Sequence, residues 1–317
     1  MAGVVDSRAE RRSGAPEVFN VKPSLDVPSV ICCIDGMISF LILGAGGAIP
    51  TPTHNPAAYW VGIDGRPLLV DPGPGALVRL LASRDGPESI DEIETVLLTH
   101  LHLDHCADLA PLLFALHSPI PESERPLQLF GPPGLIGYLD RLRSVYGNWL
   151  APVRRELLIA EIEPGQVLAT DPAGASLWEP SAAAEGIRIG IFAAAHPQGG
   201  ADRVCLGFRF IDTEGRVTVF SGDSEPCEGL TLASRGADLL VVECSTPDEW
   251  AMEGHMSPGR VGELCAAAHP GRVVLTHLYP PTVALDLAAL IGRYFDGPVV
   301  AARDGMRFLV PPDLTEE

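Results

Sequence analysis

The segment Thr99-His100-Leu101-His102-Leu103-Asp104-His105 constrains this chain more than any other. It follows Ile93-Glu94-Thr95-Val96-Leu97-Leu98, an apolar, β-branched run that reads as a buried strand. It precedes an apolar-periodic stretch that reads as a helix. Three histidines and an aspartate therefore crowd a strand-to-helix loop at a sheet edge, where ligands are usually placed. His100 and His102 alternate with leucines, so their rings can project to one side while Leu101 and Leu103 point inward. Asp104 and His105 then enter the turn and face a second point. Imidazole together with carboxylate suits zinc, iron or manganese. Histidines that merely capped the helix would not need this density.

The rest of the chain supports a large core: of 317 residues, 46% are hydrophobic and 20% charged. Residues 1–36 are mixed in charge, contain three prolines and keep no steady period, so they read as a loosely packed extension. Met37 is a candidate start. Residues 37–312 read as one domain and 313–317 as a tail. Strand-like stretches lie at 38–43, 57–63, 67–71 and 93–99, with helical patterns at 73–83, 106–117 and 133–146. The second half offers strands at 187–195, 203–212, 216–221, 237–243 and 271–276. Its helices are expected at 257–268 and 283–295, and a last strand pair near 297–310. Strands first, then strands alternating with helices, twice over, predict an α/β chain folded as an αββα four-layer sandwich. Between 147 and 186, Pro152, Pro164, Gly165, Pro172, Gly174 and Pro180 break the pattern. That stretch is expected as a short strand pair with a loop, or as a lid.

Charge narrows the partners. The formal net charge is −19, and the best basic cluster, Arg8, Arg11 and Arg12, is diluted by Asp6 and Glu10. An acidic surface repels polyanions, which disfavours long nucleic acid and leaves a small anionic or ester substrate compatible. Seven cysteines, an odd count with no CxxC pair, read as reduced thiols. No apolar run reaches the length of a membrane span and no secretory signal opens the chain, so cytoplasmic location is expected.

The HxHxDH stretch resembles that of the metallo-β-lactamase superfamily, and within it the ribonuclease Z group and its phosphodiesterase relatives. The likeness runs from residue 37 to about 310. Leu43-Gly44-Ala45-Gly46-Gly47-Ala48-Ile49-Pro50 is similar to the family's opening glycine turn. Leu69-Val70-Asp71-Pro72-Gly73 resembles its "DxG" turn, and Phe130-Gly131-Pro132-Pro133-Gly134 its "GPxG" element. Ser221-Gly222-Asp223-Ser224 resembles the "SGDT" segment, and Thr276-His277 the terminal histidine. The order of these motifs is more specific than any one of them.

The resemblance implies two divalent metal ions, zinc first, with manganese or iron as alternatives. His100, His102 and His196 would bind one, Asp104, His105 and His277 the other, and Asp223 would bridge them. His196, Asp223 and His277 each end an apolar run, as His100 does, so all can converge at one sheet edge. The resemblance further implies that His255 protonates the leaving group, supported by Glu243, with Asp104 part of the catalytic machinery. Asp71 is expected to orient a histidine rather than to bind metal. Gly46 and Gly47 are expected to let the chain pass close to the metals. His54, His117 and His269 have no comparable context and are expected to be structural.

The implied activity is hydrolysis by a water that two ions about 3.5–4 Å apart share and acidify. A phosphodiesterase is favoured. The alternatives are a carboxylic ester, thioester or lactone hydrolase on the same site, or a non-hydrolytic di-iron or metal-binding protein. Ribonuclease Z usually carries a long basic, glycine-rich arm for tRNA. Here 147–186 is short and acidic, which favours a smaller diester. A homodimer is expected from the family.

Overall fold

Strand β1 (Ile38–Gly44) is buried along its whole length. A strand achieves this only when both faces of its sheet are covered. In the computed structural model, which describes residues 36–170, 177–181, 186–197 and 204–312, two sheets meet face to face and helices cover both outer faces. The first sheet holds β1, β2 (Ala58–Ile63), β3 (Arg66–Val70), β4 (Thr95–Leu97), β5 (Leu127–Gly131), β6 (Leu157–Glu161) and the final strand β15 (Arg307–Val310). Its order is β15-β1-β2-β3-β4-β5-β6. The second sheet holds β7 (Val167–Ala169), β8 (Glu179–Pro180), β9 (Arg188–Ala194), β10 (Cys205–Ile211), β11 (Val217–Phe220), β12 (Leu239–Glu243), β13 (Val273–Thr276) and β14 (Val299–Ala301). Its order is β14-β13-β12-β11-β10-β9-β7-β8.

The two-residue period of a strand divides each sequence between two cores. Ile38, Phe40 and Ile42 of β1 face the other sheet, where they meet Phe208, Phe210, Phe220 and Val241. Leu41 and Leu43 face outward, onto a layer containing α1 (Ala76–Ala82), α3 (Leu109–Leu116) and α4 (Leu135–Tyr146). In the same way Leu239 and Val241 of β12 point to the central core. Leu240 and Val242 pack beneath α5 (Glu228–Ser234), α6 (Pro258–Ala268) and α8 (Leu287–Ile291). The four-layer αββα sandwich expected from the sequence is thus present.

Several elements differ from expectation. The helix expected over 106–117 is preceded by a separate turn, α2 (Leu103–Cys106). Strand β4 ends at Leu97 and α2 begins at Leu103, so no strand alternation reaches Leu103, which is 73% exposed instead of pointing inward. The helix expected over 283–295 is confined to α8, where the Asp286 side chain accepts from Ala289 N and starts the helix, and a separate turn, α7 (Pro280–Val283), ends where it was expected to begin. The strands near 297–310 are not paired with each other: β14 joins β13 and β15 joins β1, in different sheets. Among the described residues, 147–186 forms edges rather than a lid. β6 borders the first sheet, while β7 and β8 border the second. Residues 1–35 and 313–317, expected as extension and tail, lie outside the described residues.

Two runs of parallel strands, β3-β4-β5-β6 and β11-β12-β13-β14, aim their C-terminal ends at one rim of the sandwich. The sheets are tied there by Leu278 N donating to Ala45 O at 2.9 Å. The central core therefore fixes the geometry of that rim. Phe40 stands in it, with ring centroids 5.5 Å from Tyr59, 6.4 Å from Phe210 and 5.9 Å from Phe220. Phe40→Ala leaves a cavity between the sheets and should cost about 3–5 kcal/mol, read as a lowered urea midpoint. A loss below about 1 kcal/mol would show that the sheets re-pack freely.

Candidate metal centre

Four of the seven expected ligands follow a strand end: His100 after β4, His196 after β9, Asp223 after β11 and His277 after β13. His102 is the residue before α2, and Asp104 and His105 lie in its single turn. Folding brings all seven together. One nitrogen from each of His100, His102 and His196 lies within 4.8 Å of the others, and the same holds for ligand atoms of Asp104, His105 and His277. Asp223 Oδ2 sits between the groups, 3.7 Å from His100 Nε2, 3.9 Å from His196 Nε2, 3.4 Å from His105 Nε2 and 3.3 Å from His277 Nε2. Asp104 Oδ2 is 3.5 Å from His277 Nε2.

A surrounding layer aims these rings. His105 Nδ1 donates to Asp71 Oδ2 at 2.9 Å, as expected of an orienting carboxylate. Asp71 also accepts from Thr99 N and Thr99 Oγ1, both at 2.7 Å. His100 Nδ1 contacts Thr99 Oγ1 at 2.9 Å. His196 Nδ1 donates to Gly254 O at 2.9 Å, and His277 Nδ1 meets Ser245 Oγ at 2.8 Å. Asp71 and His277 hold backbone φ of 46° and 54°, in the left-handed region that non-glycine residues avoid. Such strain persists where surrounding contacts over-determine it, and it concentrates at functional sites. Gly47 runs against this array. A Cβ there would stand 2.9 Å from His277 Cε1 and 2.8 Å from the Tyr279 ring, so any side chain would push these rings aside.

Electrostatics show what the cluster can accept. Burial would raise Asp104, yet its hydrogen bond with His277 and the nearby His105 hold it at about 2. Asp223 lies well below the carboxylate range although burial opposes this, because His105 and His277 face it. Burial pushes His100 well below the usual histidine value, and positive charge on His105 pushes it further. His105 is raised in spite of burial, by Asp223 and Asp71. The carboxylates thus draw positive charge into a buried site.

The donor set fits divalent cations. His100 Nε2 is buried and has no hydrogen-bond partner, the kind of orphan that native interiors rarely tolerate. His105 Nε2 and His277 Nε2 face each other at 3.2 Å, and His196 Nε2 faces His102 Nδ1 at 3.2 Å. When these rings are neutral, with the Nδ1 protons of His105 and His196 committed outward, Nε2 of each presents a lone pair to the cluster. Converging lone pairs at that distance call for a cation between them.

His255 lies beside the array, its ring 4.7 Å from His196 and 5.6 Å from His277. Its Nδ1 is 3.0 Å from Glu243 Oε2, and both residues are buried. Burial works against the charged imidazole, but the hydrogen bond and charge of Glu243 lift it to about 9. His54, His117 and His269 stand apart from the cluster. His54 Nδ1 bonds Thr53 Oγ1, His117 Nδ1 bonds Ala151 O, and His269 ends α6. Sequence reasoning passed over Thr99, Ser224 and Ser245. Their hydroxyls and amides matter only once the strand ends converge, and the one available signal was adjacency to a ligand or to Glu243.

The fold agrees with known proteins. The family model described as "Beta-lactamase superfamily domain" matches residues 66–278. The ribonuclease Z of Methanosarcina mazei is 30% identical over 310 residues, covering 87% of this chain and 99% of that one. Among solved structures, the metallo-beta-lactamase fold protein YhfI of Bacillus subtilis aligns with a TM-score of 0.70 at 24% identity, over 86% of this chain and 99% of that one. The short form of human tRNase Z aligns with a TM-score of 0.65 at 22% identity, over 85% and 98%. The chain belongs to the beta-lactamase superfamily and is a metal-dependent hydrolase resembling ribonuclease Z.

Proposed function

We propose that this hydrolase cleaves small phosphodiesters at a two-ion centre, zinc being the first candidate. His100, His102 and His196 would hold one ion, Asp104, His105 and His277 the other, with Asp223 shared. Bound divalent ions supply Lewis acidity and bring a water toward ionisation near neutral pH. The chain's residues do the rest. Asp71, Thr99 and the Gly254 carbonyl keep the ligand rings aimed. His255, with Nδ1 held by Glu243, keeps its other nitrogen available to protonate the departing oxygen.

That buried His255–Glu243 pair is the observation that carries the reading. A strong acid catalyst is needed where the leaving group is a poor one, such as an alkoxide, and much less where it is activated. The relatives named ribonuclease Z act, by their name, on RNA, whose backbone is a phosphodiester. Two observations favour a smaller substrate here. The net charge is −19, which opposes polyanion binding. The described part of 147–186 is tied into sheet edges by β6, β7 and β8.

We assign a second copy of this chain as the partner. Phe114, Val145, Tyr146 and Trp149 leave an exposed apolar patch where α3 meets the end of α4, with the Phe114 and Trp149 rings 5.8 Å apart. Patches of this kind mark association surfaces. A cytoplasmic setting accords with five described cysteines, all of them free. Among the described residues, no helix is long and apolar enough to cross a membrane.

The purified protein should carry about two transition-metal ions per chain, and Asp223→Ala should lose metal and activity together. Elemental analysis finding less than one ion after growth in metal-supplemented medium, with no activity gained on adding zinc or manganese, would refute the assignment.

A panel of bis-p-nitrophenyl phosphate, an alkyl phosphodiester, a cyclic nucleotide, a thioester and precursor tRNA tests the activity. Small diesters should turn over faster than precursor tRNA at physiological salt. His255→Ala should slow the alkyl diester by about 10²–10⁴-fold while barely affecting the p-nitrophenyl substrate. His255 donates only when protonated, a form populated below about 9, so kcat for the alkyl diester should fall above that pH. Glu243→Gln should bring the fall down toward the ordinary histidine range, about 6.5. A faster thioester, or equal slowing of both diesters, would refute the reading.

Light scattering should give a dimer, and Trp149→Glu should shift it toward monomer without loss of metal. An unchanged mass would show that another surface, or none, associates.

A further inference from the structure

Glu243 and His277 belong to different tasks, leaving-group protonation and metal holding, yet one side chain touches both. Ser245 follows Glu243 by two residues as the chain leaves β12. Its Oγ lies 2.5 Å from Glu243 Oε2 and 2.8 Å from His277 Nδ1. His255 Nδ1 is 3.3 Å from the same oxygen. We propose that the Ser245 hydroxyl is a positioning residue that fixes the tautomer of His277 and joins it, through Glu243, to His255.

The proton count sets the direction of the chain. A hydroxyl has a single hydrogen, and a carboxylate oxygen 2.5 Å away is its acceptor. The contact with His277 must then run the other way, with Nδ1–H donating to Oγ. That leaves the His277 Nε2 lone pair facing inward, where Nε2 lies 3.3 Å from Asp223 Oδ2 and 3.5 Å from Asp104 Oδ2. The other carboxylate oxygen of Glu243 accepts from Ser224 N, directly after Asp223. A single buried carboxylate therefore holds His255 directly, His277 through Ser245, and the chain beside Asp223.

Ser245 is aimed by contacts that do not use its hydroxyl. Its N donates to Met256 O at 3.0 Å. Its carbonyl accepts from Tyr279 N at 3.2 Å and from Thr282 Oγ1 at 2.7 Å. Removing Oγ leaves this backbone frame in place while depriving His277 Nδ1 of its acceptor. Ligand histidines that lose such a partner typically bind metal about 10–100-fold more weakly. Wrong-tautomer His277 would present a proton to the ion instead of a lone pair.

The inference rests on His277 holding metal and His255 acting as the acid, so the test measures each separately. Apo protein is titrated with zinc against a chromophoric chelator. Wild type should take two ions. Ser245→Ala should keep one near its wild-type affinity and bind the other about 10–100-fold more weakly, and Ser245→Thr, which retains the hydroxyl, should recover most of that loss. At saturating zinc, Ser245→Ala should lower kcat for the alkyl diester with KM nearly unchanged. A long-range proton–nitrogen spectrum of wild-type histidines, which needs no variant, should show His277 as the Nδ1–H tautomer. Wild-type zinc affinity in a folded Ser245→Ala protein, a Thr variant as impaired as the Ala variant, or an Nε2–H His277 would each overturn the proposal. Failure of wild type to take a second ion would instead sink the two-ion reading on which it stands.

Discussion

The rim of the sandwich is organised by one carboxylate oxygen facing four imidazole nitrogens. Asp223 Oδ2 lies within 3.9 Å of His100, His105, His196 and His277. Asp223 and these histidines come from four different chain segments, so their convergence depends on the register of both sheets. Imidazoles packed this tightly repel one another when charged and present opposed lone pairs when neutral. The structure meets this by committing outer nitrogens to Asp71, Ser245, Thr99 and the Gly254 carbonyl. Everything farther out, including the strained backbone at Asp71 and His277, serves that aim.

Burial makes the arrangement decisive rather than decorative. In a low-dielectric site an unpaired carboxylate is costly, and Asp71 and Glu243 avoid this by accepting several hydrogen bonds each. They have little capacity left to act as ligands, although both lie within reach of neighbouring histidines. Asp104 and Asp223 differ, because their neighbours are imidazole nitrogens rather than donors with other commitments. Counting acceptor sites thus separates the two pairs of carboxylates.

Much of this was legible in the sequence for an identifiable reason. The apolar run of β1 and those before His100, Asp223 and His277 are local signals, and they placed the strands and their ends. The αββα layering followed from the order of elements. Signals that depend on distant contacts were not legible. Nothing local says that residues 299–301 and 307–310 join different sheets, since each pairing partner lies far away in the chain. Leu103 read as inward because a strand was assumed to continue, whereas the turn α2 rotates it to solvent. Asp286 starts a fresh helix inside a stretch whose apolar period looked continuous. Ser245 had no signal beyond its place after Glu243, because a hydroxyl acquires its role only when two strand ends meet. Residues 1–35 fall outside the described structure, so the extension read there has no counterpart to compare.

The pairing of histidines across the sandwich has a mechanical consequence. His102 meets His196 across 94 residues, and His105 meets His277 across 172. Each contact joins a residue following β4 of the first sheet to one following a strand of the second. An ion seated there would act as a clasp between the two sheets, closing loops long enough for the entropic benefit of a cross-link to be large. Neither half of the sandwich can then peel away without releasing the ion. Resistance to unfolding, and not only turnover, would thereby follow the metal supply.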